Sequence, residues 1–211
     1  MSGDEELYKK LVRHIKLEIP GFGLRSKKQS RLMKLLSVVL FFNADFLTRY
    51  VTTLYPHVYV PSHPWQPKAP TRRIATLAHE YVHLHDRRRL GWLFNLLYLS
   101  PQIFALLALG AFWNLSYLWA LLFLLPWPSP GRAWLEFRAY QMTIATHWWL
   151  NKQKINTVWL MHQFTKSSYY WMFPFKGFVE KRIMETIKNV ESGRNLPPIV
   201  FEIKNILGVK R

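Results

Sequence analysis

The stretch Thr76-Leu77-Ala78-His79-Glu80-Tyr81-Val82-His83-Leu84-His85-Asp86 decides how the rest of this chain is read. Residues four apart on a helix stand about one turn apart on one face, so the imidazoles of His79 and His83 can reach one cation while Glu80 projects beside it. Two imidazoles at that spacing point to zinc. The ion lowers the pKa of a bound water towards neutrality, and Glu80 is the base expected to take its proton as the oxygen attacks a carbonyl carbon. His85 points off the shared face and is not counted as a ligand. His14, His57, His63 and His162 stand at no such spacing.

A hydrolytic zinc site needs a third protein ligand and an open position. Acids are scarce in this chain, 12 Asp+Glu against 29 Lys+Arg for a formal net charge of +17, so the search for that ligand is short. Between Asp86 and Glu180 the one acid is Glu136, in the helix-compatible run Trp134-Leu135-Glu136-Phe137-Arg138-Ala139-Tyr140-Gln141-Met142-Thr143. A carboxylate flanked by Trp134, Leu135 and Phe137 needs a partner, and a zinc ion is an economical one. Two alternatives stay open: an ion pair of Glu136 with Arg132 or Arg138, and His147 as the third ligand. Positions 136, 140, 143 and 147 share a helix face, which makes Tyr140 and His147 candidates for donating hydrogen bonds to a developing oxyanion. Asp86, on the His79/His83 face, either orients a ligand imidazole or neutralises Arg87, Arg88 and Arg89. The absence of cysteine excludes disulfides, iron–sulfur clusters and Cys-ligated zinc, and leaves His and Glu as the natural ligands.

Working outward, 211 residues with half of them apolar predict one domain with a small appendage, and 16% aromatics exclude a disordered basic tail. Residues 1–45 read as a basic amphipathic helical arm, with nine Lys/Arg and only Glu18 opposing them from Lys9 to Lys34. Its helices are expected at 4–17 and 27–42, and its charge suits anionic lipid headgroups or nucleic acid. Residues 46–211 form the single main domain. Within it, 50–60 is rich in Thr, Tyr and Val and predicts one or two short strands interrupted at Pro56. Pro61, Pro64, Pro67 and Pro70 recur every third residue, the period of a stiff polyproline II spacer, and Thr71 is a candidate cap for the motif helix at 71–89.

Residues 90–131 then run for 42 positions without a charged side chain. A span needs about 20 apolar residues, so this length predicts two helices joined near Gly110 to Asn114. Arg87, Arg88 and Arg89 precede the hairpin and Arg132 follows it, which places both ends on the cytoplasmic side if it crosses a membrane. A buried hairpin in a soluble core or a larger assembly is the competing reading. The acidic start Met1-Ser2-Gly3-Asp4-Glu5-Glu6 is the reverse of a signal-peptide n-region, so none is expected. The ligand helix and its extension follow at 132–165, and a helical scaffold at 166–211, with helices near 155–164 and 176–190. The aromatic run Tyr169-Tyr170-Trp171-Met172-Phe173-Pro174-Phe175 reads as an interfacial belt or as core.

A His-Glu-x-x-His helix, a hydrophobic hairpin and then Glu-x-x-Ala on another helix resembles the membrane zinc metallopeptidases of the HtpX and CAAX prenyl protease type, within the gluzincins. The matching residues are His79, Glu80, His83, Glu136 and Ala139, over roughly 71–147. The resemblance implies a mainly α fold with a small β element, a zincin-like core carrying a hairpin inserted between the two ligand helices. It also implies one Zn2+ per chain on His79, His83 and Glu136, with Glu80 as base. The substrate would be a polypeptide aligned along an edge strand at 50–60 and cleaved at the cytoplasmic face of a membrane. That family has an Asp directly after the Ala, where this chain has Tyr140, and hydrophobic spans ahead of the motif, for which 27–42 is a poor match. A shortened, divergent member fits. Two other functions compete: a soluble, basic SprT-like metallopeptidase acting on nucleic-acid-bound proteins with His147 as third ligand, and a non-catalytic membrane-inserting or virion component that keeps zinc as a staple.

Overall fold

The computed structural model of the protein describes residues 3–39, 45–61, 70–152, 155–166 and 172–208. The fold is mainly helical with one small sheet. In chain order it runs α1 (Gly3–Glu18), β1 (Gly23–Ser26), α2 (Arg31–Val39), β2 (Thr52–Leu54), β3 (His57–Val60), α3 (Pro70–Leu90) and α4 (Trp92–Leu99). Two 3-10 segments follow, Gln102–Phe112 and Leu115–Leu124, and then α5 (Pro130–Asn151), α6 (Thr157–Thr165), α7 (Lys176–Ser192) and α8 (Pro198–Ile206).

Helices α3 and α5 form the central pair, antiparallel, with His79 opposite Thr143 and Asp86 opposite Arg138. Each begins on a proline, whose missing N–H costs nothing in a first turn. Small residues at the contact, Ala78 on one helix and Ala139 and Ala145 on the other, let the backbones approach, while Leu77, Val82 and Met142 fill the space around them. Each fully buried Leu, Ile or Met in this core stabilises the fold by about 1.5–3 kcal/mol relative to exposure. The bidentate pair of Asp86 with Arg138, at 2.8 and 2.9 Å, fastens the two helices near the α4 end.

The basic amino-terminal stretch is part of this body. Tyr8, Leu11 and Ile15 of α1 are buried in the same core, and Arg73 of α3 lies over the Tyr8 ring while bonding Glu5 at 2.9 Å. Lys27, counted above among the charges available to headgroups, is fully buried: its ammonium donates to the Phe46 carbonyl at 2.7 Å and sits over the Phe46 ring. Burial pushes its pKa down to about 8, with the Glu80 charge partly opposing. It cannot contact a lipid or a phosphate.

The strands expected at 50–60 form a hairpin around Pro56, with Thr53 opposite Val58. β3 is central, with β1 parallel on one side and β2 antiparallel on the other, so among the described residues β1 and β2 are the edges, and β2 lies next to α3. β1 carries no local signal, because Gly23-Leu24-Arg25-Ser26 has no alternation of its own and is held by pairing with a strand more than thirty residues away. Helix α2 starts at Arg31 instead of 27, since the Ser30 hydroxyl accepts from the Met33 amide and fixes the first turn there. Thr71 is inside the helix it was expected to cap. Most of the Pro spacer and Tyr169, Tyr170 and Trp171 lie outside the described residues.

Residues 90–131 make three pieces instead of two helices. α4 meets the first 3-10 segment at a bend of 91°, across Ser100-Pro101, where a proline cannot continue the α-helical ladder. The chain reverses at Trp113-Asn114 as expected, and Gly110 lets the two 3-10 segments touch: a Cβ there would stand 2.8 Å from the Tyr117 ring. Among the described residues no single helix is long and apolar enough to cross a membrane.

Candidate metal centre

His79 and His83 project from α3 and Glu136 from the facing turn of α5, and all three reach the same point. The two Nε2 atoms are 3.2 Å apart, with Glu136 Oε2 3.6 Å from His79 Nε2 and Oε1 3.7 Å from His83 Nε2. Four ligands at 2.0–2.1 Å around a tetrahedral cation lie roughly 3.3 Å from one another. The observed separations are close to that, so small side-chain adjustments suffice for a metal ion, and the three residues form a group able to hold one.

The electrostatics fit a cation as well. His83 and Glu136 are buried, His79 nearly so. Burial raises the Glu136 pKa, but the imidazoles of His83 and His79 and the Arg132 guanidinium outweigh it and hold the carboxyl well below the usual carboxylate range. Burial pushes the His83 imidazole down, which favours the neutral, metal-ligating form. At His79 burial is outweighed by Glu136 and Glu80, and the imidazole moves upward. A buried carboxylate facing two imidazoles calls for positive charge between them, and a divalent cation supplies it. The donor set, two imidazoles and one carboxylate with no sulfur, suits a divalent first-row transition metal.

A second layer holds these side chains in place. Thr143 Oγ1 lies 3.0 Å from His79 Nδ1 and donates its own hydrogen to the Ala139 carbonyl at 3.3 Å. Its lone pair therefore accepts from Nδ1–H, which leaves the Nε2 lone pair of His79 directed into the group. The Tyr140 ring packs edge-on against the same imidazole at 4.8 Å and is backed by Trp159 and Phe164. Tyr98 of α4 donates to Glu136 Oε1 at 2.6 Å, and its ring and that of Phe94 stand edge-on to His83. Glu80, 8% exposed, accepts from the Thr53 hydroxyl at 2.7 Å, which connects the expected base to the edge strand β2.

No family model, curated protein or solved structure matches this chain. What the site can do is therefore argued from its own atoms.

Of the residues singled out by spacing, His79, His83 and Glu136 converge, Glu80 stands beside them, and Tyr140 supports His79. His147 does not join them: it is eleven residues past Glu136, about 16 Å along the axis of α5. Sharing a face brought it into line with Glu136 but three turns away. Asp86 takes neither expected role, because Arg138 from α5 occupies both its oxygens. That pairing also removes Arg138 as a partner for Glu136. Thr143 was legible as a member of the 136/140/143/147 face, though its function was not. Thr53 and Tyr98 carry no local signal, since tertiary packing alone brings β2 and α4 to the site.

Proposed function

We propose that this protein is a zinc-dependent endopeptidase, a divergent zincin in which the apolar segment 90–131 is inserted between the two ligand-bearing helices. The observation that carries the reading is the convergence of His79, His83 and Glu136 on one point with Glu80 adjacent in sequence and held by Thr53. A zinc ion on these three ligands supplies a Lewis acid and brings the pKa of a water towards neutrality.

The chain's own residues do the rest. Glu80 accepts the proton of the attacking water and passes it to the amine nitrogen as the peptide bond breaks. The Thr53 hydroxyl already occupies Oε2, so the proton is taken at Oε1. Among the described residues β2 has an unpaired outer edge, and an extended polypeptide added there places its scissile bond near Thr53 and therefore near Glu80. Tyr140, against the His79 imidazole, is the candidate hydrogen-bond donor to the oxyanion. The SprT-like alternative needs His147 as a ligand, whereas the group that converges with His79 and His83 holds Glu136.

The test is zinc content and proteolysis measured together on the purified chain after metal reconstitution. One zinc per chain is expected, lost in His79→Ala and Glu136→Ala. Hydrolysis of an unstructured polypeptide should fall by about 100-fold or more in Glu80→Gln while the metal stays bound. Zinc bound by the native chain without any hydrolysis would reduce the site to a structural staple, and no zinc at all would overturn the reading.

A further inference from the structure

The two 3-10 segments form a tongue that leaves the helical body and is apolar along its length, its exposed polar residues at the tip being Asn114, whose side chain bonds the Ser116 amide, and Ser116. Phe112 and Trp113 at its tip are each 87% exposed, and Leu106, Leu109, Leu115 and Leu122 along its length are largely so. Across both segments the one buried residue is Ala120. An exposed apolar surface this continuous marks an interaction site. Its backbone is nevertheless paired at the turns that join and close the segments. At the reversal the Trp113 and Asn114 amides donate to the Gly110 carbonyl, the Tyr117 amide to the Asn114 carbonyl, and the Asn114 side chain accepts from the Ser116 amide. The Trp127 indole donates to the Leu122 carbonyl at 2.9 Å. Paired backbone with apolar side chains outward is what hydrocarbon solvent requires and water penalises.

Length and charge identify the occupant. Eleven residues of 3-10 helix extend about 22 Å, which passes through the headgroup zone and one leaflet but falls short of the ~30 Å hydrocarbon core. The tongue is uncharged, and one helix ahead of it α3 ends in Arg87 over the Tyr55 ring, Arg88 beside Glu18 and Arg89, the last two exposed, while Arg132 opens the return helix. α4 turns away from the tongue by 91°, the direction of a helix lying in the membrane plane beneath a perpendicular insert.

We propose that residues 102–125 insert into a single leaflet of an anionic lipid bilayer, with the arginine cluster at 87–89 on the headgroups, and moor the metal centre at the membrane surface. α4 joins the two, because the helix at the root of the tongue is the one that brings Tyr98 to Glu136 and Phe94 to His83. Membrane-proximal segments of polypeptide are then the substrates in reach, a consequence that rests on the peptidase reading, whereas the insertion does not.

The chain lacks cysteine, so Phe112→Cys carries an environment-sensitive fluorophore at one site, and Lys188→Cys on α7 is the control. Both are made in the full-length chain bearing Glu80→Gln, so that failure of the peptidase reading leaves the measurement intact. On vesicles containing phosphatidylglycerol, the label at 112 should brighten and be quenched by lipids spin-labelled deep in the acyl chain, while the label at 188 stays aqueous. Binding to neutral phosphatidylcholine vesicles should be weaker by on the order of tenfold. Phe112→Ser with Trp113→Ser, at exposed positions, should lose binding and leave the melting temperature unchanged. Quenching of label 112 by an aqueous quencher sealed inside the vesicles would show a span and overturn the single-leaflet arrangement. A dimer in solution that shields label 112 and ignores vesicles would assign the surface to a second copy of the chain and overturn it equally.

Discussion

Thr143 shows how much a single hydroxyl can decide at this site. By donating to the Ala139 carbonyl it accepts from His79, and together with that carbonyl, which also bonds the His79 imidazole, it sets which nitrogen is free for a metal. Thr143→Val keeps the shape and removes the acceptor, so zinc affinity measured by chelator competition should fall by about 10- to 100-fold, with Thr143→Ser restoring most of it. Equal affinities in all three proteins would remove Thr143 from the site. His79, His83 and Glu136 could be read from the sequence because a one-turn repeat and the scarcity of acids are local facts. The roles of Thr143, Thr53 and Tyr98 could not, since a threonine or a tyrosine acquires a partner only when another element is packed against it.

At the scale of elements, the ion pair between Asp86 and Arg138 is what keeps α3 and α5 in register beside the ligands. Asp86 is 2% exposed. Burial raises its pKa, but the contacts from His85 and Arg138 outweigh that and leave the carboxyl below its ordinary value. A depressed folded-state pKa contributes stability that is present above the unfolded value and lost as pH falls through the folded one, so this contribution disappears only in acid. Asp86→Leu leaves the half-buried Arg138 guanidinium, 23% exposed, without its carboxylate and should destabilise by about 1–3 kcal/mol, whereas Asp86→Leu with Arg138→Met should recover most of the loss. Denaturation of the two single variants and the double variant measures this, and additive losses would show that the pair is not coupled. The helices themselves were largely legible from apolar periodicity, and the strand pair around Pro56 from its Thr, Tyr and Val content. β1 and the break in 90–131 were not, because pairing across the chain made the first and a bend at Ser100-Pro101 the second.

For the molecule as a whole, the unequal distribution of charge divides it into a cationic helical body and an uncharged tongue with separate physical tasks. The body's core, from Leu11 through Leu77 and Met142 to Ile203, takes nothing from residues 102–125. The two ends of the excursion meet, since the Ser129 hydroxyl donates to the Ser100 carbonyl, so a short Gly-Ser linker can replace residues 102–127 without straining α4 or α5. Such a deletion should leave the melting temperature within a few degrees of the native value, because its large side chains are mostly exposed and contribute little to folding in water. It should also retain one zinc per chain, with Tyr98 still on Glu136, while binding to anionic vesicles falls to the level of the arginine cluster and the rest of the basic surface. Hydrolysis of a soluble unstructured polypeptide should persist, and hydrolysis of a peptide anchored to vesicles should drop. Loss of zinc together with the tongue would mean that the apolar segment is part of the metal centre's scaffold and not a separable mooring.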